Sequence, residues 1–376
     1  LPPHASRLLP DSLLFKPWLF AGSCYYNMNN LDSAAYYFNL AERLLSRYPG
    51  MAESERLFNK IGAVYFETGD YRASITYFSK ALSLAERRKS PDMAFIVNYK
   101  NNLASARRKL HDYATAIELY KSLLPLHINQ DGLLHNIGAT CLAAGQYTEA
   151  IRYLQQVSYN NQIKYNDLGL AYLLLQKYDS AALFLARAVS ACEKRKDAGK
   201  NLDNGITLSY SGDLALATGH FDKALVYYHK AVLQLDQDFN DSTPASNPAS
   251  FRGLHNSFYL FNALTGKARA CRQLFYLPGG DPYGRQAFNS YAAAILLAEQ
   301  VSGNYHSDEA KLFLREKVNA TCQEAVDLGI RLYEKTKDRF YFTQSFRLAE
   351  SNKAAVLQSG LRHLDIESVA GLPPAL

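Results

Sequence analysis

Nine histidines and five cysteines are this chain's potential nucleophiles and metal ligands, and their spacing assembles neither. The histidines are dispersed, and no two stand at i,i+4 with a third ligand near in sequence. Cys24, Cys141, Cys192, Cys271 and Cys322 form no CxxC and no Cys/His cluster. Most lie within apolar helical patterns, where a free thiol packs as a small hydrophobe. The chain has no GxGxxG, GxxxxGK[ST], GxSxG or HExxH. Its nearest approach to a phosphate loop, Leu277–Gly284, follows no strand and reads as a turn. The chain therefore reads as non-catalytic, with no metal or cofactor expected.

Amides and cations carry more information. Asn59, Asn101 and Asn166 recur at one position of a repeated pattern, and Asn102 and Asn136 recur one residue later, with Asp167 in the following repeat. Asn98 lies one helical turn before Asn102. An amide both donates and accepts, so a row of them can bond the backbone of an extended peptide whatever its side chains. Arg56, Lys60 and Arg108 on the same predicted face favour an acidic peptide or a terminal carboxylate. The competing reading is that these asparagines only solvate a groove or cap local backbone.

These residues must be held by helices. A small residue recurs at Gly22, Gly62, Ala104, Gly138, Gly169 and Gly212. Twelve residues after each comes Ala34, Ser74, Ala116, Ala150, Ala181 or Ala224, and sixteen after comes Phe38, Phe78, Tyr120, Leu154, Leu185 or Tyr228. Nineteen after stands Ala41, Ala81, Leu123, Val157, Ala188 or Ala231. The spacing predicts helix hairpins in which small side chains let two helices approach and the bulky residue fills the groove between them. A turn is expected about seven residues after each first small residue, at Asn29, Gly69, His111, Gly145, Gln176 and Gly219. Such hairpins cannot bury their apolar faces alone and must stack. The expected fold is all-α, a right-handed α-solenoid of about eight helix pairs.

These columns resemble the tetratricopeptide repeat (TPR) over about residues 15–235, with Trp18, Phe58, Leu134, Tyr165 and Leu208 where that family often carries Trp. The third unit fits least well, with Lys100 and Arg107 at places that are normally apolar or aromatic. The expected organisation is six TPR-like pairs over 1–235, a polar flexible loop over 236–250, and degenerate pairs over 251–376. In that last region Asn256–Tyr276, Gln286–Val301, Asp308–Thr336 and Arg339–His363 read as helices, and Leu277–Arg285 as a break. The stretch Asp327–Leu361 and the ending Ala370–Leu376 are similar to the segment preceding the peptidase domain of bacterial TPR–CHAT proteins, whose CHAT domain is a caspase-like cysteine peptidase. That resemblance implies a bacterial source and a sensor region whose catalytic His and Cys would follow Leu376. The TPR resemblance implies a protein or peptide partner in the groove. It departs from a full carboxylate clamp, because Gly132 and Asn136 stand where a basic pair is expected. A free-standing adaptor and a nucleic-acid-responsive module are the alternatives.

Net charge is +6 over 376 residues, which disfavours nucleic acid as the partner. Apolar residues make up 48% of the chain, a folding composition. The longest apolar run, Leu168–Leu175, covers about eight residues, too few to span a bilayer. Localisation is open, with the cytoplasm favoured and export compatible with a sequence that starts at Leu1 rather than Met.

Overall fold

The computed structural model describes residues 11–193, 199–251, 257–302 and 308–350. Seven helix hairpins follow one another: α1 (Phe15–Asn27) with α2 (Leu31–Arg47), α3 (Ser54–Glu67) with α4 (Tyr71–Glu86), α5 (Met93–Lys109) with α6 (Tyr113–Leu123), α7 (Gln130–Ala143) with α8 (Tyr147–Gln156), α9 (Gln162–Leu174) with α10 (Tyr178–Glu193), α11 (Leu202–Ala217) with α12 (Phe221–Leu235), and α13 (Ser257–Phe275) with α14 (Asp281–Ser302). The long α15 (Asp308–Thr336) and a helix over 339–350 complete the described chain. No strand occurs among the described residues. The fold is all-α, a solenoid of stacked helix pairs.

The hairpins close as their spacing requires. All six predicted turn residues have left-handed backbone, with φ of 57° at Asn29, 83° at Gly69, 61° at His111, 75° at Gly145, 58° at Gln176 and 77° at Gly219. This conformation ends a helix by turning its last carbonyls onto following N–H groups, and Gly and Asn adopt it at least cost. In the first three hairpins the next residue caps the second helix. Asn30 accepts from the Ser33 amide at 3.0 Å, Asp70 from Ala73 at 3.0 Å and Asp112 from Thr115 at 3.4 Å.

The core follows the repeat columns. A Cβ placed on Gly22 would lie 2.5 Å from the ring of Phe38, sixteen residues on. Gly62 meets Phe78 at 2.7 Å, Gly138 meets Leu154 at 2.7 Å, Gly169 meets Leu185 at 2.7 Å and Gly212 meets Tyr228 at 2.9 Å. Five glycines thus serve one packing contact, at positions where any larger residue would push the hairpin apart. Aromatic residues add a further regularity. The residues three and fifteen after the glycine stack as aromatic pairs in three hairpins: Tyr25 on Tyr37 with centroids 5.4 Å apart, Tyr65 on Tyr77 at 5.4 Å, and Tyr172 on Phe184 at 5.3 Å. The two discordant residues of the third unit face ion pairs instead of the core. Lys100 lies 3.1 Å from Glu86, and Arg107 lies 2.8 Å from Asp112.

The break expected over Leu277–Arg285 is shorter, because α14 already begins at Asp281. Pro282 suits the first helical turn, where its missing N–H costs nothing. Gly284 is a packing glycine rather than a turn residue, since a Cβ there would lie 2.7 Å from Leu332 and 2.8 Å from Phe275. The predicted helix Arg339–His363 is present over 339–350, and its remainder and the ending Ala370–Leu376 lie outside the described residues. Cys141, Cys271 and Cys322 are buried, as their apolar settings imply, whereas Cys24 is exposed. No group of His, Cys, Asp or Glu among the described residues could hold a metal ion, and no described helix is long and apolar enough to cross a membrane.

The chain gathers into two compact units, one running to Asn160 and the other holding most of the chain from Asn161 on. In the second unit residues 236–250 have no regular secondary structure, but they are tied down. The Lys200 ammonium donates to the carbonyls of Asp236 at 2.6 Å, Gln237 at 3.1 Å and Phe239 at 2.6 Å.

Candidate functional site: the first-helix face of the N-terminal unit

In the N-terminal unit α3, α5 and α7 are the first helices of successive hairpins, and asparagines bridge them. The Asn102 amide nitrogen on α5 donates to Asn59 Oδ1 on α3 at 2.9 Å and to Asn98 Oδ1, one turn back, at 3.3 Å. The Asn136 amide nitrogen on α7 donates to Asn101 Oδ1 on α5 at 2.8 Å. Both inter-helix bonds have the same register, joining the residue three before the small position of one unit to the residue two before it in the next. Five predicted residues, Asn59, Asn98, Asn101, Asn102 and Asn136, are thereby brought into two relays.

Each of these amides keeps a polar atom that no group among the described residues uses. Asn59, Asn98 and Asn101 accept through oxygen and retain their NH2 groups. Asn102 and Asn136 donate through nitrogen and retain their oxygens. Asn98 is exposed and the other four are half-buried, so the unused atoms can meet a ligand.

Cations lie close in sequence to the relay, Lys60 next to Asn59 on α3 and Arg108 and Lys109 at the end of α5. Lys60 lies with its ammonium 5.3 Å from the Tyr26 ring centroid, a cation–π contact. Burial lowers its pKa, and the neighbouring Arg56 guanidinium adds to the effect. The pKa of Lys109 is lowered chiefly by the protein crowded around its ammonium and then by Arg108, with Glu67 opposing. Lys109 nonetheless remains open to solvent. Among the described residues Lys60, Arg108 and Lys109 make no ion pair. Glu67 stands nearby and accepts from the Tyr26 hydroxyl at 3.4 Å. Burial and that carboxylate push the Tyr26 phenol up to about 12.

Three predicted residues do not join this group. Arg56 is engaged, with its guanidinium 2.6 Å from Glu53 and stacked 5.9 Å from the Phe95 ring. The Glu53 carboxyl is held below its ordinary value, first by Lys16 and also by Arg56. Asn166 belongs to the second unit and is 3% exposed. Its Oδ1 accepts from the Thr207 hydroxyl at 2.8 Å and its Nδ2 donates to the Asp203 carbonyl at 3.3 Å, so both halves of the amide are spent inside the protein. The adjacent Asp167 is half-buried, and its charge, after burial, raises the pKa of the Tyr210 phenol. Sequence register alone placed these three with the others; Arg56 is taken up by Glu53 three residues before it, and Asn166 by partners that lie far along the chain.

Residues 53–129 and 133–160 each match a family model of the tetratricopeptide repeat. No protein of curated function matches the sequence. Among solved structures, a tetratricopeptide repeat protein from Parabacteroides merdae superposes with a TM-score of 0.54 at 13% identity, over 82% of this chain and 98% of that one. Yeast Tom70 gives a TM-score of 0.49 at 15% identity, covering 91% of this chain and 63% of its own. A thermophilic TPR protein of Thermus thermophilus gives 0.40 at 23% identity, over 49% of this chain and 93% of that one. At such identities the likeness concerns the fold alone. The repeat columns, the six left-handed turns and the matched segments agree: residues 53–129 and 133–160 carry tetratricopeptide repeats within an all-α array of stacked helix pairs.

Proposed function

We propose that the first-helix face of the N-terminal unit binds an extended, acidic peptide segment of a partner protein. The observation that carries this reading is the half-spent relay of Asn59, Asn98, Asn101, Asn102 and Asn136 beside Lys60, Arg108 and Lys109. The inter-helix bonds orient the amides, and their unused NH2 and C=O atoms supply both donors and acceptors, as the backbone of an extended peptide requires. Guanidinium and ammonium groups that make no ion pair among the described residues favour carboxylates on that peptide. Arg56 lies outside the proposed contact set because Glu53 holds it.

The similarity of Asp327–Leu361 to the segment before CHAT peptidases supports a narrower role, in which this array is the sensor region of such a peptidase and partner binding is the signal. A free-standing adaptor would use the same face.

Fluorescence polarisation with arrayed acidic and basic peptides tests the binding reading. Replacing Asn102 and Asn136 together by Ala is expected to weaken an acidic peptide by roughly 1–3 kcal/mol, because its backbone groups lose their partners. An unchanged Kd with the fold intact removes the relay from the site. Retention of basic rather than acidic peptides would overturn the assigned charge preference.

A further inference from the structure

The second unit holds a fully buried lysine. Lys267 on α13 is 0% exposed, and each N–H of its ammonium has an acceptor. It donates to the Ser246 carbonyl at 2.5 Å, to Asn247 Oδ1 at 3.0 Å and to His229 Nδ1 at 3.1 Å. His229 on α12 is 2% exposed, and its Nε2 lies 3.0 Å from the Asp241 carbonyl. Ser290 on α14, also fully buried, donates to Asn247 Oδ1 at 3.2 Å. Three helices thus send buried polar groups to one irregular segment, residues 241–247. The same segment walls a cleft of about 550 Å³, in which Phe239, Ala245 and Pro248 face Ala292, Ala293 and Leu296 of α14.

The hydrogen bonds assign the protonation states. An ammonium has three protons and no lone pair, so His229 Nδ1 must accept from Lys267. His229 Nε2 faces a carbonyl and must donate. His229 is therefore neutral, with its proton on Nε2. A second proton, on Nδ1, would set N–H against N–H at 3.1 Å in a buried site, with both groups cationic.

We propose that residues 239–249 form an acid-released strap, held over α14 by Lys267 and neutral His229 and freed when His229 takes up a proton. Release uncovers the face of α14 that carries Ala292, Ala293 and Leu296.

The charged groups around the latch act in one direction. His229 faces Lys267 from α13 and Asp241 from the strap, with the edge of Phe239 against its ring at 6.0 Å. Its pKa is lowered by burial first and by Lys267 second, while the carbonyl bond and the Asp241 charge oppose. Lys267 faces Asp241 and Cys271, and burial lowers it to about 8. Burial also pushes the Cys271 thiol up to about 12, so it carries no charge near neutrality. For His229 the folded pKa lies below the unfolded one, so its contribution to holding the strap is present above the unfolded value and is lost as pH falls through the folded one. Lys267 is already mostly charged at pH 7, so the step on acidification belongs to His229.

The test is hydrogen–deuterium exchange of the whole chain at pH 7.5 and pH 5, corrected for intrinsic rates, with far-UV circular dichroism alongside. At pH 5 the 239–249 amides are expected to exchange at least tenfold faster relative to pH 7.5, with helical signal unchanged. His229→Gln, which keeps a donor toward Asp241 but cannot ionise, is expected to abolish that difference. The NMR titration of the His229 ring in the unmodified protein gives a second readout and should coincide with strap opening. The proposal fails if strap protection is the same at both pH values, if the helices are lost together with the strap, or if the imidazole titrates without strap opening.

Discussion

The two units use asparagine at the same repeat position to opposite ends. In the N-terminal unit the half-buried Asn59 and Asn101 each use one atom toward the next first helix and leave the other without a partner among the described residues. In the second unit Asn166 occupies the equivalent place, but Thr207 and the Asp203 carbonyl take both halves, and Gln162 donates to the same Thr207 hydroxyl at 2.8 Å. The first arrangement is open to a ligand, whereas the second is closed and buried. The contrast extends to cations. Lys60, Arg108 and Lys109, close in sequence to the first relay, make no ion pair among the described residues, while Lys267 of the second unit is swallowed whole and fully bonded. Residue type and register are therefore compatible with either role, and burial decides between binding and cohesion.

Substitutions can break or sharpen this contrast. The largest effect is expected at Gly266, where a Cβ would lie 2.3 Å from the ring of Tyr228, which is itself buried and bonded to Asp213 at 2.5 Å. Gly266→Val should cost about 3 kcal/mol by overpacking, read as a lower urea midpoint at constant slope. A wild-type midpoint would mean that α12 and α13 do not pack as described. Asn166→Ala comes next, at about 2 kcal/mol, since Thr207 and the Asp203 carbonyl lose a buried partner. Were it as mild as the N-terminal substitutions, the second unit's network would not be closed.

Smaller effects belong to the open relay. Asn136→Ala removes one half-buried bond and should lower stability by only about 0.5–1 kcal/mol, with its larger consequence in peptide affinity. Thermal unfolding and polarisation on the same variant separate the two. Lys109→Ala should change stability least, within about 0.5 kcal/mol, because it makes no ion pair. Its loss should weaken acidic peptides and reduce the salt dependence of their binding. Equal affinity at low and high salt for both proteins would take Lys109 out of the site.

Much of the fold is legible along the chain. A glycine and a bulky residue sixteen positions on, or a residue able to turn left-handed before the second helix, are decided by contacts within one hairpin. The site is only half legible. Register placed Asn59, Asn101, Asn102 and Asn136 on one face, and the structure pairs them. It equally placed Arg56 and Asn166 there; the Glu53 that holds the first stands only three residues away, but nothing in the register shows that Thr207, 41 residues on, consumes the second. The strap is the extreme case. Its Pro-containing, polar composition reads as a flexible loop, and the lysine that grips it is twenty residues away at the nearest contact.

What the sequence determined by itself is therefore the repeat: its spacings within a hairpin, its turns and its small-on-large packing, because these rest on residues within one hairpin. Tertiary structure alone decided which polar groups remain open. Their partners lie 35 positions apart for Asn101 and Asn136, 43 for Asn59 and Asn102, and 38 for His229 and Lys267. Desolvation depends on every chain segment that closes over a group, so the same amide or ammonium stays partly open in one unit and becomes a buried fastening in the other.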